Sequence, residues 1–161
     1  MSTNLRKLTL SAHITVSVGW LGAVACSLVL AVAGLASRDQ QLVRAAYLAL
    51  SLVTSWVTVP LSVASLASGV LQSWITPWGL TRHYWVLIKL LLTAVATALL
   101  LVHAQPIRDV ATQAAFDMVS MTDLQAARVH LAFDAAVAVM TLFAATVLSV
   151  YKPRGLTPWA V

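Results

Sequence analysis

Between Lys7 and Arg38 the chain reads LTLSAHITVSVGWLGAVACSLVLAVAGLAS, a run of 30 residues without a charged side chain. About 20 apolar residues in a helix span the hydrocarbon core of a bilayer, so this run is long enough to cross it. The crossing has to be helical, because lipid offers no hydrogen-bond partner to an open backbone. The start of the chain therefore predicts a transmembrane helix.

Three more runs of this kind follow. The chain carries no charge between Arg44 and Arg82 or between Lys89 and Arg108, and only Asp134 interrupts the stretch from Arg128 to Lys152. The pattern predicts an all-α fold in which four transmembrane helices form an antiparallel bundle, as a single integral membrane domain over residues 1–161. The four spans are predicted at residues 9–35, 44–71, 84–104 and 128–150.

Local signals mark where these helices begin and end. Ser37 with Gln40 and Thr122 with Gln125 have the spacing of capping boxes, which predicts that they open the second and fourth helices. Pro106 is predicted to close the third helix, because proline lacks the N–H that would continue it.

The segment that follows Pro106 keeps a helical pattern. Ile107, Val110, Ala114 and Met118 recur at helical spacing, with charged residues between them. This pattern predicts a short helix over residues 107–119 that lies on the membrane surface between spans 3 and 4.

Composition supports a membrane protein. Apolar residues make up 60% of the chain and charged residues 9%, whereas soluble domains carry about 25% charged residues. The formal charge of +5 comes from basic residues scattered at the ends of the apolar runs, which is typical of anchors at lipid headgroups and does not indicate nucleic acid binding. Cys26 is the one cysteine, so no internal disulfide or CxxC site can form.

The basic residues also predict an orientation. Four spans put both termini on one side of the membrane. The segments on that side carry five basic residues: Arg6, Lys7, Arg82, Lys152 and Arg154. The segments on the other side carry four: Arg38, Arg44, Arg108 and Arg128. The positive-inside rule then favours a plasma-membrane protein with both termini in the cytoplasm.

Small residues follow one face of the second helix, at spacings of three and four: Ser51, Ser55, Thr58, Ser62, Ser65 and Gly69. Such a stripe allows close approach of helices in a membrane, and a hydrophilic path is the alternative interpretation. Pro60 lies within the stripe and predicts a kink.

Ionisable residues occur near both ends of the predicted bundle. At one end His13 and Lys89 lie at similar depth on the first and third helices, and Trp20 follows His13 on the same face. Lys89 either snorkels to the interface or acts as a nitrogen ligand or proton carrier. Ionisable groups inside a membrane are candidates for function.

At the other end His103 closes the third span and His130 opens the fourth. Asp134 lies four residues after His130, on the same helix face, where a carboxylate can orient a ligand histidine. Two pairs, His13 with Lys89 and His103 with His130, are typical of a bundle that holds haem at two levels. Alternatively, each histidine is an interfacial anchor, an interpretation that His83 fits best.

Two motifs resemble a known group of membrane proteins. The segment from His13 to Gly22, HITVSVGWLG, resembles the first helix of HemJ-type protoporphyrinogen oxidases and of CopD-type copper-resistance proteins. The segment WVLIKLLL, from Trp85 through Lys89, resembles a HemJ helix with the same Trp and Lys-Leu pair. The chain as a whole resembles four-helix actinobacterial membrane proteins related to this group. The resemblance implies that His13 and Lys89 are essential and associate with b-type haem.

The chain departs from HemJ proteins after Trp20, where it lacks their Pro-Arg segment. We therefore expect a haem site, with one or two haem b groups, rather than porphyrinogen oxidation. Trp20 and Trp85 are predicted to line this site.

Three functions stay open at this point. The first is a b-type haem protein, in which case the chain is a membrane oxidoreductase or electron carrier with a quinone or another lipid-soluble partner. The second is proton or metal transport through a homo-oligomer that uses the same side chains as relay groups. The third is a helper subunit of a larger membrane complex.

Overall fold

Four long helices make up the computed structural model, which describes residues 3–75, 79–80, 82–116, 125–153 and 155–158. We label them α1 (Thr3–Ala36), α2 (Gln40–Ile75), α3 (Tyr84–Phe116) and α4 (Gln125–Tyr151). All four are long and apolar enough to cross a membrane. This confirms the all-helical prediction and the prediction of four apolar spans.

The helices pack as a ring in which each contacts two others. Helix α1 packs against α2 and α4, and α3 packs against the same two helices. Large apolar side chains, such as Trp56 at 78% exposure, cover much of the outer surface. A soluble monomer rarely exposes such large apolar areas, whereas lipid accepts them.

Helix α2 contains a wider turn in its middle. Residues Thr54–Thr58 are π-helical, and the N–H of Val59 bonds to the carbonyl of Thr54, five residues back. Pro60 lies just beyond this turn and has no N–H to offer the ordinary α-helical ladder. The predicted irregularity at Pro60 therefore takes the form of a π-helical turn.

Two predicted helix boundaries were wrong. Helix α2 is capped by Asp39, whose side chain accepts from the N–H of Gln41 at 2.9 Å, rather than by a Ser37–Gln40 box. Helix α3 runs through Pro106 to Phe116. The predicted Thr122–Gln125 box lies outside the described residues, because Thr122 is not among them.

The separate surface helix over residues 107–119 is likewise not observed within the described residues, which reach Phe116. Ile107, Val110 and Ala111 are buried in a core cluster together with residues of the other three helices. Burial of these side chains stabilises the helical path beyond Pro106, and proline is tolerated where neighbouring helices support the backbone. The apolar face that predicted a membrane-surface helix instead packs inside the bundle.

Arg128 joins three helices at this end of the bundle. Its side chain is 5% exposed, donates to the Tyr47 hydroxyl at 3.3 Å and to the Gly34 carbonyl, and lies over the Tyr47 ring. Gly34 is on α1, Tyr47 on α2 and Arg128 on α4. A residue predicted to flank a span at the headgroups is therefore a buried interhelical contact.

Candidate functional site

His13 lies at the opposite end of the bundle, where α1 begins and α2 ends. The residue is 8% exposed, and its Nδ1 lies 2.9 Å from the Ser68 hydroxyl. Ser68 donates its own proton to the carbonyl of Ser65 at 3.1 Å. The hydroxyl oxygen therefore accepts from the imidazole, which places the hydrogen on Nδ1 and leaves the lone pair on Nε2.

Lys89 approaches this lone pair from α3. Its Nζ lies 3.5 Å from His13 Nε2, and the side chain is half-buried. Because Nε2 is the acceptor, the lysine nitrogen donates in this long contact. The structure thus brings together the two residues that the sequence paired by depth and helix face.

A glycine shapes the space around the imidazole. A Cβ atom placed on Gly69 of α2 would lie 3.2 Å from His13 Cε1, closer than an ordinary van der Waals contact. The lack of a side chain at Gly69 therefore lets α1 and α2 approach closely at the histidine. A bond of 2.8 Å between the hydroxyls of Ser17 and Ser65 ties the same two helices one turn further along.

The His13–Lys89 pair lies in the wall of a cavity of about 990 Å³ that all four helices line. Most of its wall is apolar and includes both predicted tryptophans, Trp20 and Trp85. A volume near 1,000 Å³ is at the upper end for small-molecule and cofactor sites. The cavity also has the mostly apolar lining, with a few polar groups, that such sites share.

Two polar atoms on lining residues lack a hydrogen-bond partner among the described residues. They are the indole nitrogen Nε1 of Trp20, a side chain only 2% exposed, and the amide oxygen Oε1 of Gln72. Buried polar atoms are nearly always satisfied in folded proteins. Neither atom is accessible to a water-sized probe, so both are polar groups buried within the cavity wall.

The second predicted set has a different arrangement. His103 Nε2 lies 3.3 Å from the Asp134 carboxylate, and His103 Nδ1 lies 2.8 Å from the Leu99 carbonyl. Both nitrogens thus face acceptors, so coordination of iron by His103 would require one of these contacts to break. Asp134 was predicted to orient His130; in the structure it pairs with His103, and His130 is exposed.

The described residues contain no group of three or more His, Cys, Asp and Glu side chains that could hold a metal ion. A haem iron needs only one or two protein ligands, since the macrocycle provides the others. The cavity wall has two nitrogen atoms available for that purpose, His13 Nε2 and Lys89 Nζ. The pairing of His103 with His130 as haem ligands stays a prediction.

Several residues of this site were not predicted from the sequence. Ser68 lies beside the small-residue stripe of α2 but was not assigned to it, and Gln72 had no signal of its own. Arg6 and Lys152 were assigned only to the headgroup region, yet both line the cavity.

Comparison with known proteins gives no relative for this chain: no family model, curated protein or solved structure matches it. The resemblance to HemJ-type and CopD-type proteins therefore stays a prediction that rests on the motifs around His13 and Lys89.

Proposed function

We propose that this protein is an antiparallel four-helix membrane protein that binds one b-type haem in the cavity and uses it for redox chemistry with a lipid-soluble partner. The observation that carries the proposal is the position of His13 Nε2, whose lone pair faces Lys89 Nζ in the cavity wall. Bound haem supplies one-electron chemistry. The chain supplies the nitrogen ligands and an apolar environment.

The side chains around His13 suit an iron ligand. Histidine ligands commonly donate their second ring N–H to a nearby acceptor, which fixes the tautomer and raises the basicity of the ligating nitrogen. Ser68 is such an acceptor for the His13 Nδ1–H. The lone pair on Nε2 is then the one available to iron.

Lys89 would supply a second nitrogen ligand for the haem iron. Its Nζ lies 3.5 Å from His13 Nε2 in the cavity wall. The flexible four-carbon side chain of Lys89 would let this nitrogen move to make room for the bound group.

One haem, rather than two, agrees with the contacts at the other end. His103 has acceptors at both ring nitrogens, and coordination there would require one of these bonds to break. The cavity lies at the end of the bundle where the chain begins, which the basic residues assign to the cytoplasmic leaflet of the plasma membrane.

The experiment is an equilibrium haem titration of the detergent-purified protein, followed by its Soret band. His13→Ala and Lys89→Ala each remove one nitrogen, and we expect His13→Ala to weaken haem binding by about 100-fold, or roughly 2.7 kcal/mol. Lys7→Met is the matched control, because Lys7 is exposed and does not line the cavity, and it should bind haem like the wild type. His130→Ala tests the second predicted ligand pair, and with one haem in the cavity it should also bind haem like the wild type.

Two results would contradict the proposal. One is a His13→Ala protein that folds and binds haem with wild-type affinity. The other is a wild-type protein that binds no haem but carries protons or metal ions across liposome membranes, which would favour the transport hypothesis.

A further inference from the structure

The ionisable side chains that line the cavity are all basic. Arg6 of α1, Lys89 of α3 and Lys152, which follows α4, line it together with His13 and His83. None of the described lining residues is acidic. A cavity with cationic groups and mostly apolar walls attracts an anionic ligand that also has an apolar body.

Two of these cations lie away from the iron-binding pair. Arg6 precedes His13 by seven residues, two helical turns and about 10 Å along α1 toward its start. Lys152 directly follows Tyr151, the last residue of α4. Arg6 and Lys152 therefore mark the end of the cavity nearest the helix ends, and His13 lies further inside the bundle.

The backbone at Lys152 is unusual. Its φ of 44° makes it the one residue other than glycine with a positive φ in the described part of the chain. A lysine in this conformation is uncommon and costs conformational energy. The strand-like pairing of residues 155–157 with residues 82–84 holds the chain beyond it, through bonds from Thr157 N to Arg82 O and from Tyr84 N to Gly155 O. A strained position is thus occupied by a long cationic side chain at the cavity.

We infer that Arg6 and Lys152 bind the carboxylates of the cavity ligand, while its apolar body extends toward His13 and Trp20. The inference rests on the proposed function: for haem, the carboxylates are the two propionate groups. The ligand class assigned to the cavity is an amphiphile with a carboxylate group at one end. Charge-assisted hydrogen bonds from Arg and Lys are the strongest available to such a group.

The test compares haem with haem dimethyl ester, which has the same macrocycle but no carboxylates. Wild-type protein should bind haem at least about tenfold more tightly than the ester. In the double variant Arg6→Met/Lys152→Gly this ratio should fall close to one. Glycine accepts the positive φ at position 152, so that substitution removes the charge without straining the backbone. Lys7→Met, an exposed cation on the same helix that does not line the cavity, should keep the wild-type ratio.

A second probe separates this inference from the haem proposal. A fluorescent long-chain fatty acid and its methyl ester are titrated into the same variants. If the wild-type protein prefers the acid to the ester and the double variant loses this preference, the inference is supported even when haem does not bind. In that case only the proposed haem binding is overturned. Haem binding without preference for the free acid overturns the inference alone. A protein that binds none of the four probes overturns both.

Discussion

Ser68 determines which nitrogen of His13 is available to a ligand. Its hydroxyl proton is used in the bond to the Ser65 carbonyl, so its oxygen can only accept from His13 Nδ1. The lone pair on Nε2 then faces the cavity side, where Lys89 lies. Ser68 therefore fixes which nitrogen of His13 faces Lys89.

If haem binds as proposed, replacement of Ser68 by alanine should change the reduction potential of the haem more than the affinity of the protein for it. Without the acceptor, the imidazole becomes a weaker electron donor and stabilises oxidised iron less. We expect the reduction potential to rise by up to about 60 mV, which corresponds to a tenfold change in the relative affinity for the two iron states. A potentiometric titration followed by the haem absorbance measures this.

Ser27→Ala is the matched control for Ser68→Ala. Ser27 is a buried serine of α1 that bonds only to the carbonyl of Ala23 in its own helix. Its replacement should leave the potential unchanged. Equal potentials in the Ser68→Ala and wild-type proteins would show that the hydroxyl does not tune the histidine.

Gly69 sets how closely α2 approaches the imidazole. In Gly69→Ala the new Cβ would lie 3.2 Å from His13 Cε1, so the ring must move by a few tenths of an ångström. We expect haem affinity to fall by about tenfold, with no loss of helical structure, because alanine favours a helix over glycine. Gly22→Ala is the control, since a Cβ there meets nothing within 4 Å. Haem affinity that stays at the wild-type value in Gly69→Ala would contradict this, because it would mean that the imidazole has room to move.

At the scale of the helices, composition predicted the four spans, whereas two of the local boundary signals, the Ser37–Gln40 box and Pro106, were wrong. The uncharged runs set the number of helices because lipid allows no other backbone structure in a span. Pro106 was a misleading stop signal, since the burial of Ile107, Val110 and Ala111 outweighs the lost backbone hydrogen bond. Tertiary packing of this kind cannot be read from a single proline.

The candidate site was predicted only in part, because tertiary packing also determines which side chains meet there. His13 and Lys89 share a depth, which helical rise and chain direction determine, and the structure places them in contact. Gly69 belongs to the small-residue stripe that predicted close helix approach. Its contact with His13, like the role of Ser68, depends on the rotation of α2 about its axis, which residue spacing alone does not determine. The burial of Arg128 had no sequence signal either, because its partners Tyr47 and Gly34 lie more than 80 positions away.

The three-helix contact around Arg128 predicts a stability defect far from the site. A Cβ on Gly34 would lie 2.7 Å from the buried ring of Tyr47, so Gly34→Ala forces the ring or the helices to shift. Overpacking of this kind lowers the free energy of unfolding by about 1–3 kcal/mol. The thermal unfolding midpoint in detergent should fall for Gly34→Ala and stay near the wild-type value for Gly22→Ala. An unchanged midpoint in Gly34→Ala would mean that the contact is loosely packed.

At the scale of the whole molecule, the proposed arrangement of four crossings would put both termini on one side of the membrane. In a Cys26→Ser background, single cysteines replace Lys7, Arg38 or Pro158, all exposed in the structure. A membrane-impermeant maleimide should label Arg38→Cys in intact cells, and Lys7→Cys and Pro158→Cys only after the membrane is opened. If Lys7→Cys and Pro158→Cys are labelled from opposite sides, four crossings are excluded. If both are labelled in intact cells, the protein has four crossings with the opposite orientation.

The cavity beside His13 and Lys89 is the proposed haem site. The most direct measurement is the optical spectrum of the protein purified in detergent from haem-replete cells, recorded oxidised and then reduced. We expect a Soret band that shifts on reduction in the wild-type protein and is lost in His13→Ala. A folded wild-type protein that is colourless, and that stays so after haem is added, would show that the cavity does not hold haem.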